Sequence, residues 1–274
     1  MHKVALLTDR AVIAVSGGDA ENFLQGLVTN DMEECREDHA LYAALLTPQG
    51  KILFDFFIVR TGEQFLIDCA AARADELAKR LAFYRLRAKV EIMLRADLSV
   101  EAIWNDGPVK ASGVAFTDPR LPALGQRMIE ANAGLPAANA TLAGYHTHRI
   151  QLGVPDSADL PPDTVFALDA GFEELNGVSF TKGCFIGQEV TARMKHRATA
   201  RRRMLIAEGN GPLPQPGTPL VAQQQDIGAL ATAQGSRGLA LVRLDRLANV
   251  ETSGAAVTAG SIIVTLRRPD WLRM

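Results

Sequence analysis

Apolar positions along the chain change period several times, and each change marks an element. Ala11-Val12-Ile13-Ala14-Val15 is a β-type apolar run closed by Ser16-Gly17-Gly18-Asp19. Ala20, Phe23, Leu24, Leu27 and Val28 follow at helical spacing, with Ser16 or Asp19 as N-cap. Two further β-type runs, 41–46 and 52–59, flank Thr47-Pro48-Gln49-Gly50-Lys51, a hairpin signal. Residues 65–69 predict another strand. Ala71 to Tyr84 predicts an amphipathic helix with Leu77, Leu81 and Tyr84 on one face. Strands are expected at 90–94 and 98–104. Pro, Gly and Ala dominate 118–139, so turns and loops are expected there, with one strand near 125–129. Residues 142–152 read as a helix and 155–162 as a loop.

Later residues change character. β-type runs at 204–207, 219–222, 238–243 and 262–266 are separated by Gly and Pro, and no helix is expected after residue 200. This predicts an α+β body followed by a small C-terminal antiparallel β-barrel.

A length of 274 residues suggests about two domains, with three small ones also fitting. Apolar residues at 47% and charged residues at 22% exclude a disordered or collagen-like chain. A net charge of −2 excludes a polyelectrolyte built for nucleic acid. Cys35, Cys69 and Cys184 form no CxxC, which argues against a disulfide framework or a four-cysteine zinc site and suits a reducing compartment. The first apolar run meets Asp9-Arg10 too early for a signal peptide, and no run approaches ~18 apolar residues. A cytoplasmic location without a membrane partner is expected.

The segment Ser179 to Arg193 carries the strongest local chemistry. Gly183 and Gly187 bracket Cys184, and Val190, Arg193 and Met194 then fall on one helical face. A thiol just before a helix start and two residues from Lys182 has its thiolate favoured. Cys184 is then a reactive or ligand-contacting thiol, or else a small apolar filler. His146, His148 and His196 suggest a metal site. No carboxylate stands near them at ligand spacing, so a structural role is favoured and no metal is expected.

The run Lys182-Gly183-Cys184-Phe185-Ile186-Gly187-Gln188-Glu189 resembles the signature of the YgfZ family, with Phe185 where Tyr is usual. These are folate-binding proteins linked to iron–sulfur cluster maturation, similar in fold to the aminomethyltransferase T-protein of glycine cleavage. Residues 23–31, 47–52, 118–120, 125–127 and 238–243 resemble further parts of the family, so the likeness spans nearly the whole chain. It implies an α+β, T-protein-like cloverleaf of three domains around a central cavity. The expected boundaries are 1–45 with 145–198, then 46–144, then a barrel over 199–274.

The resemblance also implies function. The expected protein binds tetrahydrofolate or a derivative and serves iron–sulfur cluster assembly or repair. Its partners would be folate and iron–sulfur client enzymes or assembly proteins. Cys184 would be the functional thiol and Lys182, at the surface, would tune it. Gln188, Glu189, Arg193, Asp169 and Asp55 would order the loop or contact the ligand. Asp169 stands where the family often has Glu, one methylene longer. In Phe54-Asp55-Phe56-Phe57, where transferases place an acid that acts on folate, only Asp55 is acidic. This weakens the alternative of a folate-dependent aminomethyl or methyl transferase and leaves enzymatic activity open.

A third alternative is an RNA- or protein-binding module. Arg193, Lys195, Arg197, Arg201, Arg202 and Arg203 make a strip without an acid, suited to the glutamyl tail of folate, to RNA, or to plain solvation. No aromatic residue interleaves them, which disfavours nucleic-acid stacking.

Overall fold

The computed structural model describes residues 2–105, 113–134, 138–197 and 201–273. Its central layer is an antiparallel sheet of five strands: β2 (Arg10–Ser16), β3 (Leu41–Leu46), β4 (Ile52–Thr61), β5 (Gln64–Ala70) and β6 (Glu91–Leu94), in the order β3-β4-β5-β2-β6. β2 to β5 read as continuous apolar runs because both of their faces are buried, whereas β6 at the edge is exposed. Val12, Ala14, Tyr42, Ala44, Leu46 and Phe57 enter one core. Ile13, Val15, Leu41, Ala43, Leu45 and Phe56 enter another, beneath helices α1 (Ala20–Gln25) and α2 (Ala74–Arg85), which contribute Leu24, Leu77 and Leu81.

A second antiparallel sheet has the order β1-β7-β9-β8, from β1 (Lys3–Leu6), β7 (Leu98–Trp104), β8 (Val114–Thr117) and β9 (Gln126–Ala131). Its Ala5, Val100, Ala102, Trp104 and Ile129 share the first core with helix α3 (Leu142–Gln151), through Tyr145 and Ile150. Residues 152–187 form no strand and only one short 3-10 turn. Their buried apolar side chains, Leu160 and Phe172 among them, complete that core. Local turns and cross-links satisfy much of their main chain: the Phe172 N–H donates to Ala167, Ile52 to Val165 and Ser179 to Thr29. Helix α4 (Gln188–His196) closes this part. The boundary expected between residues 45 and 46 falls inside β3, which pairs with β4 along its length.

The C-terminal residues close into a barrel, β10-β13-β12-β11-β14-β15. Its strands are β10 (Arg202–Gly209), β11 (Pro219–Ala222), β12 (Gln225–Gln234), β13 (Arg237–Arg243), β14 (Val257–Ala259) and β15 (Ile262–Arg267). One expectation fails here: helix α5 (Leu244–Ser253) follows β13. Leu247 and Val250 on α5 join the barrel core, and burying each contributes roughly 1.5–3 kcal/mol. Packing thus forms a helix that the β-rich surroundings obscured.

Candidate functional site

Three separate sequence motifs meet around Cys184. The first contact is glycine on glycine. Gly187 has φ +81°, and a Cβ there would lie 2.6 Å from the Thr47 carbonyl oxygen and 3.1 Å from the Cα of Gly50. Gly50 also has φ +81°, and its own Cβ position lies 3.0 Å from Val190. Only residues without a Cβ permit this approach of the 47–51 hairpin to the 182–189 loop. Phe185 anchors the loop in the first core and Ile186 packs on the second.

The second contact is Lys182. The sequence places it at the surface, but the structure buries it to 6% exposure. Its Nζ donates to the carbonyls of Gln25, Val28 and Asn30 at 2.7, 2.7 and 2.8 Å. An ammonium has three N–H groups, so none is left for the Cys184 sulfur. Burial pulls Lys182 down to about 8, with Asp31 opposing. Lys182 therefore ties the Cys184 loop to the turn after α1.

Cys184 itself is exposed, whereas Cys35 and Cys69 are buried. Burial pushes both buried thiols up to about 12. For Cys35 the cause is burial rather than its charged surroundings in sequence. The acids beside it in sequence, Glu33, Glu34, Glu37 and Asp38, are exposed, and desolvation dominates.

The remaining expected residues lie apart. Gln188 Nε2 donates to the Gly183 carbonyl at 3.4 Å, which closes the loop on itself. Glu189 and Arg193 pair with each other at 2.6 Å on the exposed face of α4, an arrangement worth little in energy. Lys195 pairs with Glu173, so part of the basic strip is neutralised locally. Asp169 is buried where the body meets the barrel and accepts the Arg202 N–H at 3.4 Å. Desolvation raises its carboxyl against the Arg202 N–H.

Asp55 belongs to a different place, a buried ionic core between the sheets. Arg10 and Arg127 both pair with Asp68 at 2.6 Å. Arg120 pairs with Asp118 at 2.7 Å and Arg149 with Asp159 at 2.6 Å. Arg10 also reaches Asp156 at 3.1 Å. The guanidinium groups of Arg10, Arg120 and Arg127 lie 5.6, 4.7 and 4.2 Å from the centre of the Phe57 ring. Four buried arginines thus face four buried aspartates, Asp68, Asp118, Asp156 and Asp159. Burial would raise Asp156, but Arg10, Arg120, Arg149 and Arg127 outweigh it and hold the carboxyl far below the usual range. Asp55 is the fifth carboxyl. Burial and then Asp156 raise it, and it accepts the Tyr42 O–H at 3.1 Å.

A cleft of about 200 Å³ opens beside this core, lined by Arg10, Phe54, Asp55, Arg73, His146 and Asp156 among others. Of the expected site residues it contains Asp55 alone. Its volume is below the roughly 300–1,000 Å³ that encloses a drug-sized ligand, so it admits one ring system. Arg10 and Asp156 in its wall have no distinctive spacing in the sequence, and no sequence signal marked the cleft.

His146 and His148 have structural partners, while His196 is exposed at the end of α4. His146 Nε2 lies 2.9 Å from Asp9 Oδ2, and its Nδ1 accepts from Arg149. His148 stacks on Trp104 and meets the Ala123 carbonyl at 3.0 Å. Among the described residues no group of three or more His, Cys, Asp or Glu side chains is placed to hold a metal ion.

Two antiparallel sheets packed on a common core, with a closed barrel appended, make a T-protein-like fold. The aminomethyltransferase T of the glycine cleavage system from Bartonella henselae superposes with a TM-score of 0.76 at 16% identity, covering 99% of this chain and 86% of its own. Residues 7–101 match the GCVT N-terminal domain family, and residues 201–274 match the CAF17 C-terminal beta-barrel domain. The human mitochondrial iron–sulfur cluster assembly factor IBA57 is 33% identical over 97% of this chain and 84% of its own. The mouse protein is 32% identical at the same coverage. A Neurospora crassa homologue is 35% identical over 73% of this chain and 52% of its own. The chain belongs to the IBA57 family of iron–sulfur cluster assembly factors.

These relatives correct the expected location. Their names place them in mitochondria, not in the cytoplasm. Three unpaired cysteines fit any reducing compartment and could not discriminate.

Proposed function

We propose that this protein acts in iron–sulfur cluster assembly by presenting Cys184 to a cluster held mainly by another protein. The exposure of Cys184 on a pinned loop, with both other thiols buried, carries this reading. A cluster takes four ligands, usually thiolates. One accessible cysteine cannot hold a cluster alone, so the other ligands come from a partner. Lys182 and Gly187 position the loop, and neither needs to touch the cluster.

Reduced folate is the second part of the proposal. The cleft beside Asp55 has the volume for a pterin head but not for a whole folate. Asp55, held up by burial, offers a carboxyl for ring nitrogens, while Arg10 and Asp156 supply further polar atoms. The likeness to the YgfZ signature supports this reading. The glutamyl tail would leave the cleft past Arg73, whose guanidinium lies 4.1 Å from the Phe54 ring centre.

Calorimetric titration with tetrahydrofolate tests the second part. Saturable heat that weakens about tenfold or more in Asp55→Asn is expected. No heat and no thermal shift at millimolar ligand would remove folate from the account. Treatment of the chain alone with ferrous iron and sulfide tests the first part. The protein is expected to emerge without a stable cluster chromophore.

A further inference from the structure

The corner between the end of α2 and strand β6 is dressed for a partner. Phe83, Leu86, Met93 and Leu94 are exposed by 72, 89, 50 and 42%. Leu86, just past the helix end, has φ +47°, an uncommon conformation for a residue with a branched side chain. Among residues 79–97, Lys79, Arg80, Arg85, Arg87, Lys89 and Arg95 stand against two acids, Glu91 and Asp97, and Asp97 pairs with Arg95 at 2.6 Å. This window carries a net charge of +4 in a chain of −2.

β6 is a sheet edge. Among the described residues it pairs only with β2. Their register aligns Leu94 with Ile13, Met93 with Ala14 and Ile92 with Val15. Beyond it the Arg95 N–H donates to the Val12 carbonyl at 2.8 Å. Bonded and non-bonded positions alternate in an antiparallel pair. Arg95 and Met93 therefore turn their main chain toward β2, while Ile92 and Leu94 turn N–H and C=O outward. Charged residues beside an edge guard against self-pairing. Four large exposed apolar side chains are no part of such a guard.

We propose that an acidic, extended segment of a partner protein docks here, adding a strand to β6 and covering Phe83, Leu86 and Leu94. The outward N–H and C=O groups of Ile92 and Leu94 supply the main-chain ladder. Charge complementarity selects an acidic occupant. A second copy of the chain would bring the same basic window against itself. A lipid surface would leave the outward main-chain groups without partners.

The probe is a synthetic peptide of about eight residues, a normal strand length, alternating Glu and Val. Added to the full chain, it is expected to slow amide hydrogen exchange at Ile92 and Leu94. Its affinity should fall as salt rises, and about tenfold or more in the Arg85→Glu, Arg87→Glu double variant. Leu94→Pro removes an outward donor without breaking the ladder to β2 and is expected to abolish binding. Should that variant not fold, the arginine pair decides. Unchanged exchange at Ile92 and Leu94, or equal binding of a peptide with Lys in place of Glu, would overturn the proposal. So would capture by phosphatidylserine vesicles that survives Leu94→Pro while the acidic peptide leaves exchange unaltered.

Discussion

The Nζ of Lys182 lies 2.7 Å from the carbonyl oxygen of Val28, and two neighbouring carbonyls take its other N–H groups. The first residue of the cysteine motif thus spends its charge on the main chain of a distant turn. Lys182→Met leaves those carbonyls without donors. A loss of about 2–4 kcal/mol is expected, since orphaned buried acceptors cost about 1–3 kcal/mol each and two of these are only partly buried. Urea unfolding reads the loss. Faster hydrogen exchange at 25–30 would locate it, and an unchanged midpoint would show that the loop is held elsewhere.

The two glycines around Cys184 are not equivalent. Gly187→Ala drives a Cβ to 2.6 Å from the Thr47 oxygen at φ +81°, whereas Gly183→Ala meets nothing within 4 Å. The first change should destabilise by about 2 kcal/mol or more, and the second should stay within about 0.5 kcal/mol. Thermal unfolding of both variants side by side measures the contrast. Equal midpoints would mean that the hairpin and the loop separate without cost.

Glu101 gives a pH signature. It is 1% exposed on β7, and burial, then Glu130, raises it from 4.5 to about 7. Between those values the folded protein keeps a proton that the unfolded chain releases. Stability from this group is therefore fully present below 4.5 and is lost as pH rises through 7. Denaturant midpoints should fall across that window. Glu101→Gln, which cannot ionise, should flatten the fall, and a fall of the same size in the variant would assign it to other groups.

Thiol labelling separates the cysteines. At neutral pH an alkylating reagent should modify Cys184 promptly. Cys35 and Cys69, buried and pushed up to about 12, should resist until the protein unfolds. Peptide mass spectrometry over time gives the three rates. Comparable rates would mean that the buried thiols open to solvent in the native state.

How much of this the sequence revealed depends on the kind of contact. Apolar runs such as Val12 to Val15 and Leu41 to Leu46 declare strands because their faces are buried in cores. β12 went unread because its Gln225–Gln234 run is rich in Gln, Ala and Gly and only partly buried. α5 was hidden because Leu247 and Val250 gain their value from a barrel assembled out of distant strands. The Cys184 loop announced itself through its glycines. Its tie to residues 25–30 left no trace, because Lys182 binds main-chain carbonyls that every residue has. The ionic core is only half legible: Asp118, Arg120 and Arg127 fall in segments that resemble the family, whereas Arg10, Asp68 and Asp156 are scattered along the chain and meet them only in three dimensions.

The central claim is that one exposed thiol on a pinned loop does the work. It is tested most directly in cells whose own copy of the gene is deleted, by the activity of an iron–sulfur-dependent enzyme. Cells are supplied with the wild-type chain, Cys184→Ser, or the Cys35→Ala, Cys69→Ala double variant. Circular dichroism and unfolding midpoints of the purified chains confirm folding. A folded Cys184→Ser chain that fails to restore activity, beside a double variant that restores it, is the predicted result. Full activity from Cys184→Ser would contradict the account and leave the motif a purely structural role.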